Sequence, residues 1–216
     1  MLSNMFTGSA KALREVSPAL LTATAQTLQQ LGPRHFSLTR VAETAGVSRG
    51  TVHNVFGNRD NAIRAALDHL ASLFIQTMAT QIENETCLAD QVAAAAVMIC
   101  AHRRHDDLLD LSGVNKSIVA LLLTNIGDDL MEQSVELWHP RVRAAQETGE
   151  VDSAIDPRRA SEWIIRTLLS FELLPPIAVN LNEPRAVHRF VSDHIITGLT
   201  TQASQPTARK RKWSNA

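Results

Sequence analysis

The sequence has 216 residues, 44% hydrophobic and 4% aromatic, with a formal net charge of −1. That length holds one or two domains with a real core, and so few aromatics make the core mainly aliphatic. No apolar run approaches the roughly 20 residues that span a bilayer, and Met1–Ala12 lacks the cationic start and apolar core of a secretory signal. Cys87 and Cys100 have no metal or redox spacing. A cytoplasmic, reduced protein with no membrane partner is therefore expected.

The charge is unevenly placed. Residues 1–64 hold seven Lys/Arg against three Asp/Glu, whereas residues 65–205 hold ten against nineteen, and the last eleven residues add four basic ones. A basic N-terminal module on an acidic body is an electrostatic footprint for phosphate. Alternating apolar runs are scarce and helical spacing recurs throughout, so the expected class is all-α.

Residues 1–14 read as a flexible arm carrying Lys11 and Arg14. Ser17-Pro18 predicts a helix start, serine as cap and proline in the first turn, and Gly32-Pro33 predicts its stop. Leu20, Leu21, Thr24, Leu28 and Leu31 form its apolar face. Ser37 can cap a second helix whose buried face is Leu38, Val41, Ala42 and Ala45. Gly46 follows, where a positive φ closes a helix, and Val47 can plug the corner. Ser48 caps a third helix, Arg49 to Phe56, with Val52, Val55 and Phe56 inward. Arg49, Thr51, His53 and Asn54 are left outward and polar. A short helix presenting hydrogen-bonding side chains is what a major groove accepts.

Val41-Ala42, Ala45-Gly46-Val47-Ser48, Gly50-Thr51-Val52 and Phe56 stand at the matching places of one known pattern. The segment resembles the DNA-binding domain of the tetracycline-repressor (TetR) family of bacterial transcription regulators. Arg59 stands where that family usually has lysine, and His53 and Val55 where it has aromatic residues; the chain has no tyrosine. The resemblance covers about the first third of the chain strongly. It implies a DNA-binding domain over residues 15–60, with Ser37, Thr39, Ser48, Arg49, Gly50, Thr51, His53, Asn54 and Arg59 at the DNA. It also implies a long helix from Arg59 that links two domains and offers its N-terminus to phosphate, as a helix dipole permits.

Residues 61–202 are then the expected helical effector-binding and dimerisation domain. The long helix runs to about Ile82, and Leu88 to Arg104 follow as an alanine-rich helix. Cys100, His102, His105 and Asp106 allow a metal site, but a solvated helix end reads better, so no metal is expected. Helices are expected over Asn115–Ile126 and Asp128–Thr148, the second kinked or ended at Pro140. Leu70, Phe74, Met78, Met98, Leu122, Ile126, Met131 and Trp138 sit on helices expected to surround one interior, and an apolar, acyl-like effector fits such walls.

Asp156-Pro157 opens a helix with two apolar stripes, one of Ala160, Trp163, Ile164, Thr167, Leu168 and Phe171 and the other of Ile165, Leu169 and Leu173. Pro175-Pro176 end it, and Glu183-Pro184 open a last helix with Val187, Phe190, Val191, His194, Ile195 and Leu199. A second copy is the economical way to bury a surplus stripe. The expected homodimer face is Trp163, Ile164, Thr167, Leu168, Phe171, Val187, Phe190, Val191, His194 and Ile195. Residues 203–216 read as a disordered basic tail.

Three function classes follow. The favoured one is a ligand-responsive dimeric regulator, a repressor released from a palindromic operator on double-stranded DNA by a small apolar effector. The alternative is a helical interaction protein that kept the fold but lost specific DNA binding. An enzyme is not expected: there is no G-x-S-x-G, P-loop or G-x-G-x-x-G, and no cofactor is implied.

Overall fold

The computed structural model describes residues 16–109, 114–195 and 198–199, with side chains over 16–103, 118–194 and 198–199. The expectations for the arm and the basic tail lie outside those residues, and the side chains of His105 and Asp106 lie outside the described ones. The described residues are helical throughout, with no strand among them: α1 Pro18–His35, α2 Leu38–Ala45, α3 Arg49–Phe56, α4 Arg59–Ile82, α5 Leu88–Leu109, α6 Val114–Asn125, α7 Gly127–Glu147, α8 Pro157–Leu173 and α9 Pro184–Phe190, then a π-helical turn Val191–Ile195.

Most starts are set by side-chain caps. Ser17 Oγ accepts from the Leu20 amide at 3.3 Å, Ser37 Oγ from Arg40 at 3.3 Å and Ser48 Oγ from Thr51 at 3.0 Å. Asn58 Oδ1 accepts from Asn61 at 2.9 Å, and Asp156 Oδ1 from Arg158 at 2.8 Å and Arg159 at 3.1 Å. The Arg159 amide foremost, with that of Arg158, holds the Asp156 carboxyl below its ordinary range. Inside α1, Gly32 adopts φ 66°, so the predicted stop is a break after which Pro33–His35 make one more turn.

Three elements depart from the sequence reading. α5 runs past Arg104 to Leu109. α7 passes through Pro140 without ending. Both Pro140 and Glu136, whose carbonyl loses its amide partner, are exposed, so that carbonyl is open to solvent. The last helix is not continuous to Leu199 but divides into α9 and the π-helical turn.

The packing forms two apolar clusters. One gathers Leu20, Leu28, Val41, Val52 and Phe56 of α1–α3 with Ala62, Ile63, Ala66, Leu67 and Ala71 of α4 and with Ile118 and Ile126 around α6. Apolar packing thus runs straight across the expected boundary at residue 60. The second is built round α5, whose small residues Ala93, Ala95 and Ala96 let α4, α8 and α9 approach closely. Trp138, only 1% exposed, fills its middle with Ile164 and Leu168.

One long-range cap was not legible beforehand. Glu150, in the α7–α8 connection, accepts from the amides of Leu88 at 2.8 Å and Ala89 at 2.7 Å and so closes the N-terminus of α5. A carboxylate there meets both the unpaired amides and the positive helix end. Glu150→Ala is expected to lower unfolding free energy by about 1.5–3 kcal/mol and Glu150→Gln by less, measured by urea denaturation.

Candidate nucleic-acid interface and effector cavity

The recognition surface begins with the α2–α3 corner. Gly46 takes φ 65°, and its amide and that of Val47 return to the carbonyls of Glu43 and Ala42. Val47 does not plug the corner, being 38% exposed. α2 is tied to α1 instead through the Thr27–Thr44 hydroxyl contact of 3.1 Å. In α3, Val52 and Phe56 are buried, so Arg49, Gly50, Thr51, His53 and Asn54 are all exposed. The Ser48 and Thr51 hydroxyls lie 2.9 Å apart and pin the first turn. Arg40 pairs with Glu43 at 3.0 Å, whereas Arg49 has no ion-pair partner among the described residues. Ser37 and Thr39 lie half-buried at the start of α2.

Arg59 is exposed but tied back to the chain. Its Nε donates to the Phe36 carbonyl at 3.1 Å, Nη2 to the Pro33 carbonyl, and Nη1 lies 3.4 Å from Asp60. It braces α4 against the α1–α2 connection. Asp60, exposed in the first turn, already complements the positive end of α4. These bonds draw on three of the five guanidinium N–H groups, and the side chain keeps 45% exposure.

On the other side of α4 lies a cavity of about 200 Å³. Its inner wall is Ala71, Met78, Ile99, Ile118, Trp138 and Leu168, all buried, and Gln29, His102, Ser134 and Glu172 add polar groups. His102 stands edge-on to Phe74, ring centroids 5.7 Å apart. Ala71 and Ile118 line the cavity and belong to the α1–α4 core at once. Below it, Arg64 of α4 reaches Asp129 at 2.9 Å and the Asn125 carbonyl at 3.5 Å, holding the α6–α7 corner to α4. Asp68 faces the same corner. Burial foremost, with Asp129 adding and Arg64 opposing, pushes its carboxyl above the ordinary range.

Solved structures share this architecture. The TetR family repressor AlkX from Dietzia sp., implicated in biodegradation of n-alkanes, superposes with a TM-score of 0.59 at 19% identity, covering 86% of this chain and 100% of AlkX. The fold is that of TetR-family regulators. FadR from Bacillus subtilis, solved with stearoyl-CoA, gives a TM-score of 0.55 at 15% identity over 84% of this chain and 98% of its own. SmeT, repressor of the Stenotrophomonas maltophilia efflux pump SmeDEF, gives 0.55 at 14% identity over 89% and 94%. No family model and no curated protein matches the sequence.

Within this TetR-like fold the expected residues divide. Leu70, Phe74, Met78, Leu122 and Trp138 line the cavity. Ile126 is instead buried in the α1–α4 core, and Met98 and Met131 pack against the cluster around α5. The reading missed Gln29, Ile99, His102 and Glu172, and it gave Leu168 to a dimer face although it lines the cavity. His102 had drawn notice only as a possible ligand; no group of metal-ligating side chains exists among the described residues.

The dimer face needs correction too. Ile164, Leu168, Phe171, Val187 and Val191 are buried in the chain's own core and offer no surface to a second copy. Phe190 is half-buried, edge-on to Phe171 at 6.1 Å and stacked on exposed His194 at 5.0 Å. Trp163, 38% exposed, and half-buried Thr167 remain outward on α8; the side chain of Ile195 lies outside the described residues.

The raised Asp68 carboxyl sets a pH test. Its folded state favours the protonated acid, so its charge weakens the fold as pH rises from its unfolded value near ~3.9 through the higher folded one. Asp68→Asn is expected to raise the melting temperature at pH 7 and leave it unchanged near pH 3, where wild-type Asp68 is already protonated. Thermal melts of both proteins at the two pH values check this.

Proposed function

We propose that this chain is a homodimeric, ligand-responsive DNA-binding transcription regulator that reads a palindromic operator with α3 and leaves it when a small apolar effector fills the cavity. The observation that carries the reading is the Ser48-capped α3, anchored by Val52 and Phe56, with Arg49, Gly50, Thr51, His53 and Asn54 exposed on its outer side. Arg49 suits guanine or phosphate, and Asn54 suits adenine or phosphate. Two copies related by a two-fold axis would place their α3 helices one helical turn of DNA apart, or a multiple of it.

The effector role rests on the cavity's position. Ala71 on α4 and Ile118 on α6 are shared between its wall and the core under α3, and Gln29 reaches it from α1 itself. A ligand that fits one arrangement of α4 and α6 better than another shifts the DNA module by that difference in affinity. FadR, solved with stearoyl-CoA, and AlkX, implicated in biodegradation of n-alkanes, agree with an apolar effector.

For the dimer, the stripe Trp163, Thr167 and Ser170 runs along the outer side of α8 and leads to Leu174 just past its end, with Trp163 and Leu174 exposed. Wild type is expected to sediment as a dimer at micromolar concentration and Trp163→Arg as a folded monomer. A wild-type monomer would contradict the assembly.

The direct test uses labelled DNA from the region upstream of the chain's own gene. Arg49→Ala is expected to weaken binding about 5- to 150-fold, as losing one base contact of about 1–3 kcal/mol would. In Gly50→Ala the new Cβ meets only Ser48 Oγ, at 3.6 Å. That protein should be about 1 kcal/mol more stable yet bind DNA more weakly, because the methyl fills the approach to the groove. Two folded variants that bind DNA like wild type would remove α3 from the interface.

A further inference from the structure

Resting on that reading of the cavity, we infer that the effector is a compact amphiphile whose apolar part holds about eight carbons. A cavity of 150 Å³ encloses benzene, so by the same scale about 200 Å³ encloses about eight carbons. This is smaller than the roughly 300–1,000 Å³ of sites that take drug-sized ligands. A chain of stearoyl length, such as the ligand in the FadR structure, exceeds it.

The distribution of polar groups orients such a molecule. The inner wall is wholly apolar where Met78, Ile99 and Trp138 meet. Gln29 and His102 are exposed, and Ser134 and Glu172 half-buried, so hydrogen-bonding groups stand towards solvent. The apolar part therefore enters first, leaving a single polar head among those groups.

The test uses the full chain without DNA, so that a failure here is separate from a failure to bind an operator. Straight-chain 1-alkanols from butanol to hexadecanol are titrated and followed by tryptophan fluorescence, with thermal shift alongside. Affinity is expected to rise about fourfold per methylene up to about octanol and to fall beyond about decanol. Two variants act as rulers. Ala71→Leu adds three carbons to the wall and should move the optimum about three carbons shorter; Leu169→Ala removes three and should move it longer. Should Ala71→Leu fail to fold, Leu169→Ala alone decides. Affinity still climbing at hexadecanol, or an optimum unmoved in the folded variants, would overturn the inference.

Discussion

The apolar seam where α6 lies against α1 and α4 is the constraint on which the rest depends. A helix-turn-helix module of this size buries little apolar surface by itself. Here it completes its core with Ile118 and Ile126 from outside its own sequence and with the first turns of α4. The module's order is therefore tied to the position of α6. Because Ile118 and Ala71 also face the cavity, a change in cavity volume reaches α1–α3 through side chains of one shared core.

Polar contacts fix the geometry that the seam permits. Arg59 binds α4 to the α1–α2 connection by backbone carbonyls, and Arg64 binds it to the α6–α7 corner. These contacts are at least partly exposed, and each contributes modestly. Their value is directional: together they make α4 a rod held at the DNA module and at the corner. Glu150 does the same for α5 from the α7–α8 connection, so the helix at the centre of the body starts at one defined place.

The sequence showed elements where the deciding chemistry is local. Ser37, Ser48, Asn58 and Asp156 cap within three residues of themselves, and the Gly46 turn depends on one residue's conformation, so helix starts and the α2–α3 corner were legible. Partners far along the chain were not. Nothing near Glu150 announces that it caps α5, and the carbonyl partners of Arg59 are likewise set by folding. The two stripes of α8 were read correctly as stripes, but periodicity does not say what each one meets. The stripe offered to a second copy is largely the chain's own core, and Leu168 with Leu169 faces the cavity. The cavity was half legible for the same reason: apolar α4 positions pointed inward as periodicity required, while Gln29 and Glu172 carry no pattern that marks them.

The claim that the α1–α3 module and the cavity share one core is tested most directly by amide hydrogen exchange in Ile118→Val. Removing one buried methylene costs about 0.5–1.5 kcal/mol, roughly two- to tenfold in opening. The shared core predicts faster exchange by that factor in α1 and the first half of α4 as well as in α6. Faster exchange confined to α6 and its neighbours in the body, with α1 and the start of α4 unchanged, would contradict it.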